Sequence, residues 1–179
     1  MTFLIPIGLN PFSAPELSGA VVGGNYVGNF NDEATGKVVG EALIGEGVDV
    51  IFVAAGASGN GVLTAVKEAT DVWFIGCDVD QFNDGANGDA NVILTSALKV
   101  MDMNVELQLN NVVAGTFEGK NALLGADTYS TGFVSAEGRH QMQADTVTKV
   151  AESFEKVVAG EVVPAANFNG MTPDAFTGL

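Results

Sequence analysis

From Asn25 onward, short β-rich runs alternate with helically spaced apolar residues, and that alternation leaves this chain few folds to choose from. Strand, helix, strand is the βαβ unit, in which the strands run parallel and the helices cover the sheet. Val48-Asp49-Val50-Ile51-Phe52-Val53-Ala54 is the clearest strand: a nearly continuous apolar run, as expected where both faces are covered. Tyr26-Val27-Gly28 reads as an earlier short strand, with Val21-Val22 as an alternative beginning. Between the two, Asp32 suits an N-cap, and Val38, Val39, Ala42 and Leu43 follow at helical spacing up to Gly45 and Gly47. A second helix carries Val62, Ala65, Val66 and Ala69.

Val72 to Cys77 is the third strand, followed by a polar, glycine-rich loop from Asn83 to Asp89 and a fourth strand at Val92-Ile93-Leu94. Ser96 is expected to cap a long helix with the stripe Leu98, Met101, Val105, Leu109, Val112 and Val113. Further strands are expected near Ala122-Leu123-Leu124 and Gly132-Phe133-Val134. The last helix has the sharp stripe Val147, Val150, Ala151, Phe154, Val157, Val158 and should bury Val147, Val150, Phe154 and Val158. The expected fold is α/β, a doubly wound and mostly parallel sheet with helices on both faces. The expected organisation is an atypical segment over 1–24, a ligand-binding lobe over 25–126, and a return strand, helix and tail over 127–179.

Composition narrows function. The chain has 179 residues, 47% of them apolar, enough for one well-buried core. Seven basic residues stand against 22 acidic ones, a net charge of −15 with no basic cluster. A phosphate-backbone footprint is therefore missing, nucleic acid is not expected as a partner, and anionic lipid headgroups would be repelled. The single cysteine, Cys77, precludes an intrachain disulfide or a thiolate zinc site, and no run of eighteen apolar residues suits a membrane span. Residues 1–24 lack Lys, Arg and Cys and contain Pro6, Pro11 and Pro15, so neither a signal peptide nor a lipobox is expected in them.

Catalytic chemistry finds little support. The only histidine, His140, lies in the polar stretch Arg139-His140-Gln141 and reads as a surface or cap residue. There is no G-x-S-x-G and no H-E-x-x-H, so the chain is not expected to be an enzyme, and neither a metal nor a cofactor is expected. Asp78 and Asp80 share one side of an extended segment, which suits two contacts to a polar ligand as well as it suits an acid–base pair. Gly56-Ala57-Ser58-Gly59-Asn60-Gly61 follows a strand and precedes a helix without the order of a dinucleotide motif or the lysine of a P-loop. Its glycines let backbone approach a ligand, and N–H groups at a helix start attract polar groups. This turn, the Asp78/Asp80 pair, and Ser96 with Lys99 all follow strands, and in open α/β sheets ligands bind beyond the carboxyl ends of the strands.

These residues also carry a resemblance. Asn25-Tyr26-Val27-Gly28-Asn29-Phe30-Asn31-Asp32 with Gly36-Lys37 resembles the opening of the second lobe of Bmp-family receptors, whose best-understood members bind purine nucleosides. Gly47 to Phe52 with Ala54-Ala55-Gly56, Gly59 and Gly61 is similar to the family's next strand motif. Ile75-Gly76-Cys77-Asp78-Val79-Asp80-Gln81 matches I-G-x-D-x-D-Q, and Leu94-Thr95-Ser96-Ala97-Leu98-Lys99 with Asp102 matches L-T-S-x-x-K-x-x-D. The resemblance covers about Asn25 to Gly160.

It implies one lobe of a type I periplasmic-binding fold, serving an ABC importer as its solute receptor at the periplasmic or cell surface, with the permease as partner. Asp78 or Asp80 would hydrogen-bond ribose hydroxyls, Lys99 would face the sugar, and the Phe52-to-Gly56 strand end, with Ala55, would contact base or sugar. The family's N-terminal lobe has no match in residues 1–24, so half the ligand cage is expected, with self-association as one way to cover the surface left over. The alternatives are a small flavodoxin- or Rossmann-like enzyme built around Asp78 and Asp80, and a sensor domain on the same fold.

Overall fold

The computed structural model describes residues 3–6, 25–120 and 124–162. In chain order the elements are β1 (Phe3–Pro6), α1 (Glu33–Gly45), β2 (Val50–Ala54), α2 (Ser58–Glu68), β3 (Trp73–Asp78), β4 (Ala86–Asn87), β5 (Ala90–Asn91), β6 (Ile93–Lys99), α3 (Met101–Ala114), β7 (Thr131–Phe133) and α4 (Ala144–Val158). They fall into two compact units. One runs as far as Leu98 and takes in Phe133–Met142; the other holds Lys99–Gly132 and the chain from Gln143 onward.

The first unit is built on a sheet ordered β1-β2-β3-β6. β2, β3 and β6 are parallel, and β1 runs antiparallel on the outer side of β2 with Leu4 opposite Val53. The α/β class with a mostly parallel sheet is as the alternation predicts. The far edge is closed by residues 133–134: the Val134 N–H donates to the Ser96 carbonyl at 2.9 Å, and the Thr95 hydroxyl donates to the Val134 carbonyl at 2.8 Å.

The core follows from strand alternation and helix spacing. Val50, Ile51 and Val53 of β2, Phe74 of β3 and Ile93 of β6 are buried, together with Leu43 of α1 and Val62, Leu63 and Val66 of α2. Asp32 caps α1 as expected: its carboxylate accepts from the Thr35 N–H at 2.9 Å and from the Thr35 hydroxyl at 2.7 Å. Those two bonds, the backbone one first, hold its pKa below the ordinary carboxylate value. α1 and α2 meet through glycines. A Cβ on Gly36 would strike the Ser58 carbonyl, and one on Gly61 would strike the Glu33 carbonyl, so the two backbones lie closer than side chains permit.

Four expectations need correcting. Tyr26-Val27-Gly28 is not a strand; Asn25 makes a single bridge and bends follow from Gly28, because this stretch leads directly into the Asp32 cap. The loop expected over Asn83–Asp89 contains a 3-10 turn (Phe82–Gly85) and enters the β4–β5 hairpin, whose reversal uses Gly88 at φ +63°. The fourth strand does not stop at Leu94 but continues to Lys99, with Ser96 opposite Gly76. Ser96 therefore caps nothing: α3 begins at Met101 after Val100, with no side-chain cap. A hydroxyl in mid-strand is stable here because it is fully buried with a partner, the Gln81 N–H at 3.1 Å. The strand expected at Ala122-Leu123-Leu124 falls largely outside the described residues.

In the second unit, α3 ends on Gly115 at φ +72°, a left-handed C-cap that lets the Thr116 N–H reach the Asn111 carbonyl at 2.9 Å. The expected α3 stripe is not a buried one. Met101, Val105, Leu109, Val112 and Val113 are all exposed, and no residue of the helix is buried. The α4 stripe is not buried as expected: Val147, Val150, Phe154, Val157 and Val158 are only half-buried, and Ala151 is exposed. Phe154 meets Tyr129 with ring centroids 6.3 Å apart.

Candidate functional site

A cleft of about 300 Å³ opens at the carboxyl ends of β2 and β3, within the first unit. Val53, Ala54, Ala55 and Gly56 form one wall, Cys77, Asp78 and Gln81 another, and Phe30 and Asn60 reach it from the flanking turn and helix. That volume lies at the bottom of the range of about 300–1,000 Å³ usual for small-molecule sites, enough for part of a ligand.

The turns that shape the cleft are unusual. Gly56 has φ +55°, and a Cβ there would lie 3.1 Å from the Phe30 carbonyl and 3.2 Å from the Phe30 Cβ. The bare backbone is what lets Phe30 lie against the strand end. Asp78 has φ +70° at the centre of a three-residue turn closed by the Val79 N–H on the Cys77 carbonyl at 2.9 Å. A positive-φ γ-turn is rare and strained, and Asp is among the few non-glycine residues that tolerate it. Such strain recurs where a side chain must be held toward a ligand.

Two buried serines splint the two loops. Ser58 accepts from the Asp32 N–H at 2.9 Å, donates its hydroxyl to the Asn29 carbonyl at 3.0 Å, and offers its own N–H to the Phe30 carbonyl at 3.1 Å. Both ends of the Phe30 turn are thus tied to the start of α2. Ser96 holds the second loop through the Gln81 N–H, and the Gln81 side-chain carbonyl accepts from the Cys77 N–H at 3.1 Å. A Cβ at Gly76 would lie 2.6 Å from the Ser96 hydroxyl oxygen, so that interaction needs the glycine.

Of the residues singled out in the sequence, Ala55, Gly56 and Asp78 come together in this cleft. Phe52 does not line it; it is half-buried in β2, paired in register with Ile75. Asp80 does not line it either. One of its oxygens accepts from the Phe82 N–H at 2.9 Å and the other from Arg139 Nε at 2.7 Å. Burial alone would raise the Asp80 pKa, but the Arg139 hydrogen bond, the Phe82 N–H and the guanidinium charge outweigh it and hold the carboxyl below its ordinary value. Lys99 is exposed at the end of β6 and belongs to the second unit. His140 Nδ1 accepts the Met142 N–H at 3.2 Å, a local turn contact. Among the described residues no three His, Cys, Asp or Glu side chains gather as a metal site.

Phe30 and Gln81 were missed as cleft residues, although both sit inside motifs quoted above. Each motif points to its charged member, and nothing in a linear sequence says that the aromatic in Asn29-Phe30-Asn31 swings over a glycine 26 positions on.

Comparison with known proteins agrees with the motifs. Residues 19–167 match the family model Bmp, described as ABC transporter substrate-binding protein PnrA-like. A CD4+ T-cell-stimulating antigen of Listeria monocytogenes is 35% identical over 149 residues, which is 76% of this chain and 41% of that protein. The ABC transporter nucleoside-binding protein BmpA of Lactococcus lactis is 34% identical over 106 residues, 52% of this chain and 30% of that one. The crystal structure of an ABC transporter solute-binding protein from Aeropyrum pernix superimposes with a TM-score of 0.64 at 23% identity, covering 82% of this chain and 48% of its own, and shows the shared fold. The chain thus spans well under half the length of the curated relatives it matches.

Proposed function

Because this chain belongs to the Bmp family of PnrA-like ABC transporter substrate-binding proteins, we propose that its first unit is the sugar-holding part of a solute receptor for a purine nucleoside or similar ribosyl ligand. It would act by binding alone, and deliver its ligand to an ABC permease outside the cytoplasmic membrane. Among the described residues no helix is long and apolar enough to cross a membrane.

The observation that carries this reading is the meeting of Asp78, the Gly56 backbone and the Phe30 ring in one cleft beyond the strand ends. Each suits one part of a nucleoside. A carboxylate accepts from two vicinal hydroxyls, the bare Gly56 backbone admits close approach, and an aromatic face stacks on a planar base. Gln81 lines the same cleft; its side-chain carbonyl already accepts the Cys77 N–H, which leaves its Nε2 as a donor. With Phe30 45% exposed, the cleft is open on one side, and weak binding is expected because water still reaches the ligand.

Calorimetric or NMR titration with inosine, guanosine and adenosine tests the reading. Comparable weak affinities are expected for all three. Asp78→Ala should weaken binding by about 1.5–3 kcal/mol, while Lys99→Ala, which lies outside this cleft, should leave it unchanged. Shifts clustering away from residues 52–61 and 78–81 would overturn the site. Turnover of any of the three would instead favour the small-enzyme alternative.

A further inference from the structure

We infer that Arg139 is a positioning residue for the ligand cleft: it clamps the loop after β3 from outside and thereby fixes where Asp78 and Gln81 face inward. The affinity part of this inference rests on the receptor reading above; the conformational part does not.

Residues 78–85 leave β3 and return toward the β4–β5 hairpin. Asp78 and Gln81 of this stretch line the cleft, and neither Asp80 nor Arg139 does. Arg139 grips the loop at three residues. Its Nε donates to Asp80 at 2.7 Å, its Nη1 donates to the Asn83 side-chain carbonyl at 2.7 Å, and its guanidinium carbon stands 5.3 Å from the centre of the Phe82 ring. Asp80 in turn accepts the Phe82 N–H, so a single guanidinium fixes both side chain and backbone on the outer side of Gln81. The Asp80 and Arg139 side chains are only about one-third exposed (31% and 34%), and a planar fork with a stacked face holds geometry that a lone surface ion pair does not.

A clamp works only if its base is fixed. Arg139 lies between two attachments of the Phe133–Met142 segment to β6 and its approach. On one side are the paired bonds between Val134 and Thr95/Ser96. On the other, the Gln141 N–H donates to the Leu94 carbonyl at 2.8 Å, and its side-chain amide donates to the Asn91 and Ile93 carbonyls at 2.7 and 2.8 Å. The inner side of the loop is already held by Ser96 on the Gln81 N–H. Gln81 is therefore held directly by a buried hydroxyl, while its neighbours Asp80 and Phe82 are held by a guanidinium. Asp80 serves as the handle for that grip.

The test compares Arg139→Gln, Arg139→Lys and Asn83→Ala with the parent chain, using amide chemical shifts, hydrogen exchange, melting temperature and inosine titration. In Arg139→Gln the amide resonances of residues 78–83 should move, and Phe82 amide exchange should rise about tenfold or more, while the α2 amides stay in place. Inosine affinity should fall about tenfold. Arg139→Lys keeps a cation for Asp80 but loses the fork, so it should recover part of both effects, and Asn83→Ala should show a smaller version of them. Should Arg139→Gln fail to fold, the other two variants decide. Unmoved resonances at 78–83 would overturn the clamp. Moved resonances with unchanged inosine affinity would overturn its role at the site. A parent chain that binds no inosine would remove the receptor reading, and the exchange data would still decide the clamp.

Discussion

The helix pair α1/α2 and the helices α3 and α4 reach opposite ends of the packing scale. α2 buries seven of its eleven residues, whereas neither α3 nor α4 fully buries any. Hydrophobic content does not explain the difference. α3 carries more large apolar residues than α1, but Met101, Met103, Val105, Leu107 and Leu109 alternate with Asp102, Asn104, Glu106, Gln108 and Asn110. At about 100° per residue, Met101, Val105, Leu109 and Val112 share one face while Met103 and Leu107 fall on the opposite one, so the apolar residues are split between two faces. α1 and α2 instead bring small residues to one line: Gly36 and Gly40 face Ser58, Val62 and Ala65, and Gly61 faces Glu33 and Lys37. Intimacy of packing here follows the placement of small residues, not the number of large ones.

Bulk placed where the two helix backbones touch should have the largest effect. Gly61→Val drives a branched side chain into the Glu33 carbonyl and the Lys37 N–H, and a loss of roughly 4 kcal/mol or more, or failure to fold, is expected in urea titration. A variant as stable as the parent would show that the close helix contact is not what holds the first unit. Phe74→Ala empties a fully buried site in β3, with an expected cost of about 3–5 kcal/mol by the same measurement. Ser96→Ala leaves the Gln81 N–H without its partner, and about 1–3 kcal/mol should be lost along with slower-exchange protection at Gln81.

A finer comparison concerns strain at the cleft. Asp78→Gly and Asp78→Ala both remove the carboxylate, but only alanine keeps a Cβ in the left-handed region. The glycine variant should be the more stable of the two by about 1 kcal/mol in thermal melts, and equal stabilities would deny that the turn is strained. At the other extreme, Val113→Ser on α3 changes a side chain that is 89% exposed and should alter stability by no more than about 0.5 kcal/mol. A large loss there would mean that α3 is covered in solution, and would turn the comparison around.

Acidification separates the clamp from the rest of the site. The Asp80 pKa is held below the ordinary carboxylate value, so the carboxylate is favoured by folding. A lowered native pKa contributes stability that is present above the unfolded value and lost as pH falls through the native one. The Arg139 pairing should therefore persist from neutral pH to about pH 4 and release only below it, which a carboxyl-carbon NMR titration of Asp80 would follow.

Much of the first unit was legible from the linear pattern. The strand cores at Val50–Ala54 and Trp73–Cys77, the Asp32 cap and the α2 stripe each depend on residues within a few positions, where periodicity and capping chemistry act directly. Ala55, Gly56 and Asp78 were legible as a group for a related reason, since carboxyl ends of parallel strands converge whatever joins them. Ser96 was misplaced because Ser before an apolar run has the same local signature in a cap as in a strand. The Gln81 N–H that decides between them comes from 15 residues away.

The βαβ alternation, the family motifs and the net charge of −15 came from the sequence, since all are carried by neighbours along the chain or by sums over it. The tertiary structure alone decided which polar groups meet. Asp80 turns to Arg139 across 59 residues while Asp78, two positions earlier, stays at the cleft. Alternation along an extended strand would put both on one side, but the left-handed turn at Asp78 ends the strand between them, and past that point the period of two no longer tells which way a side chain points.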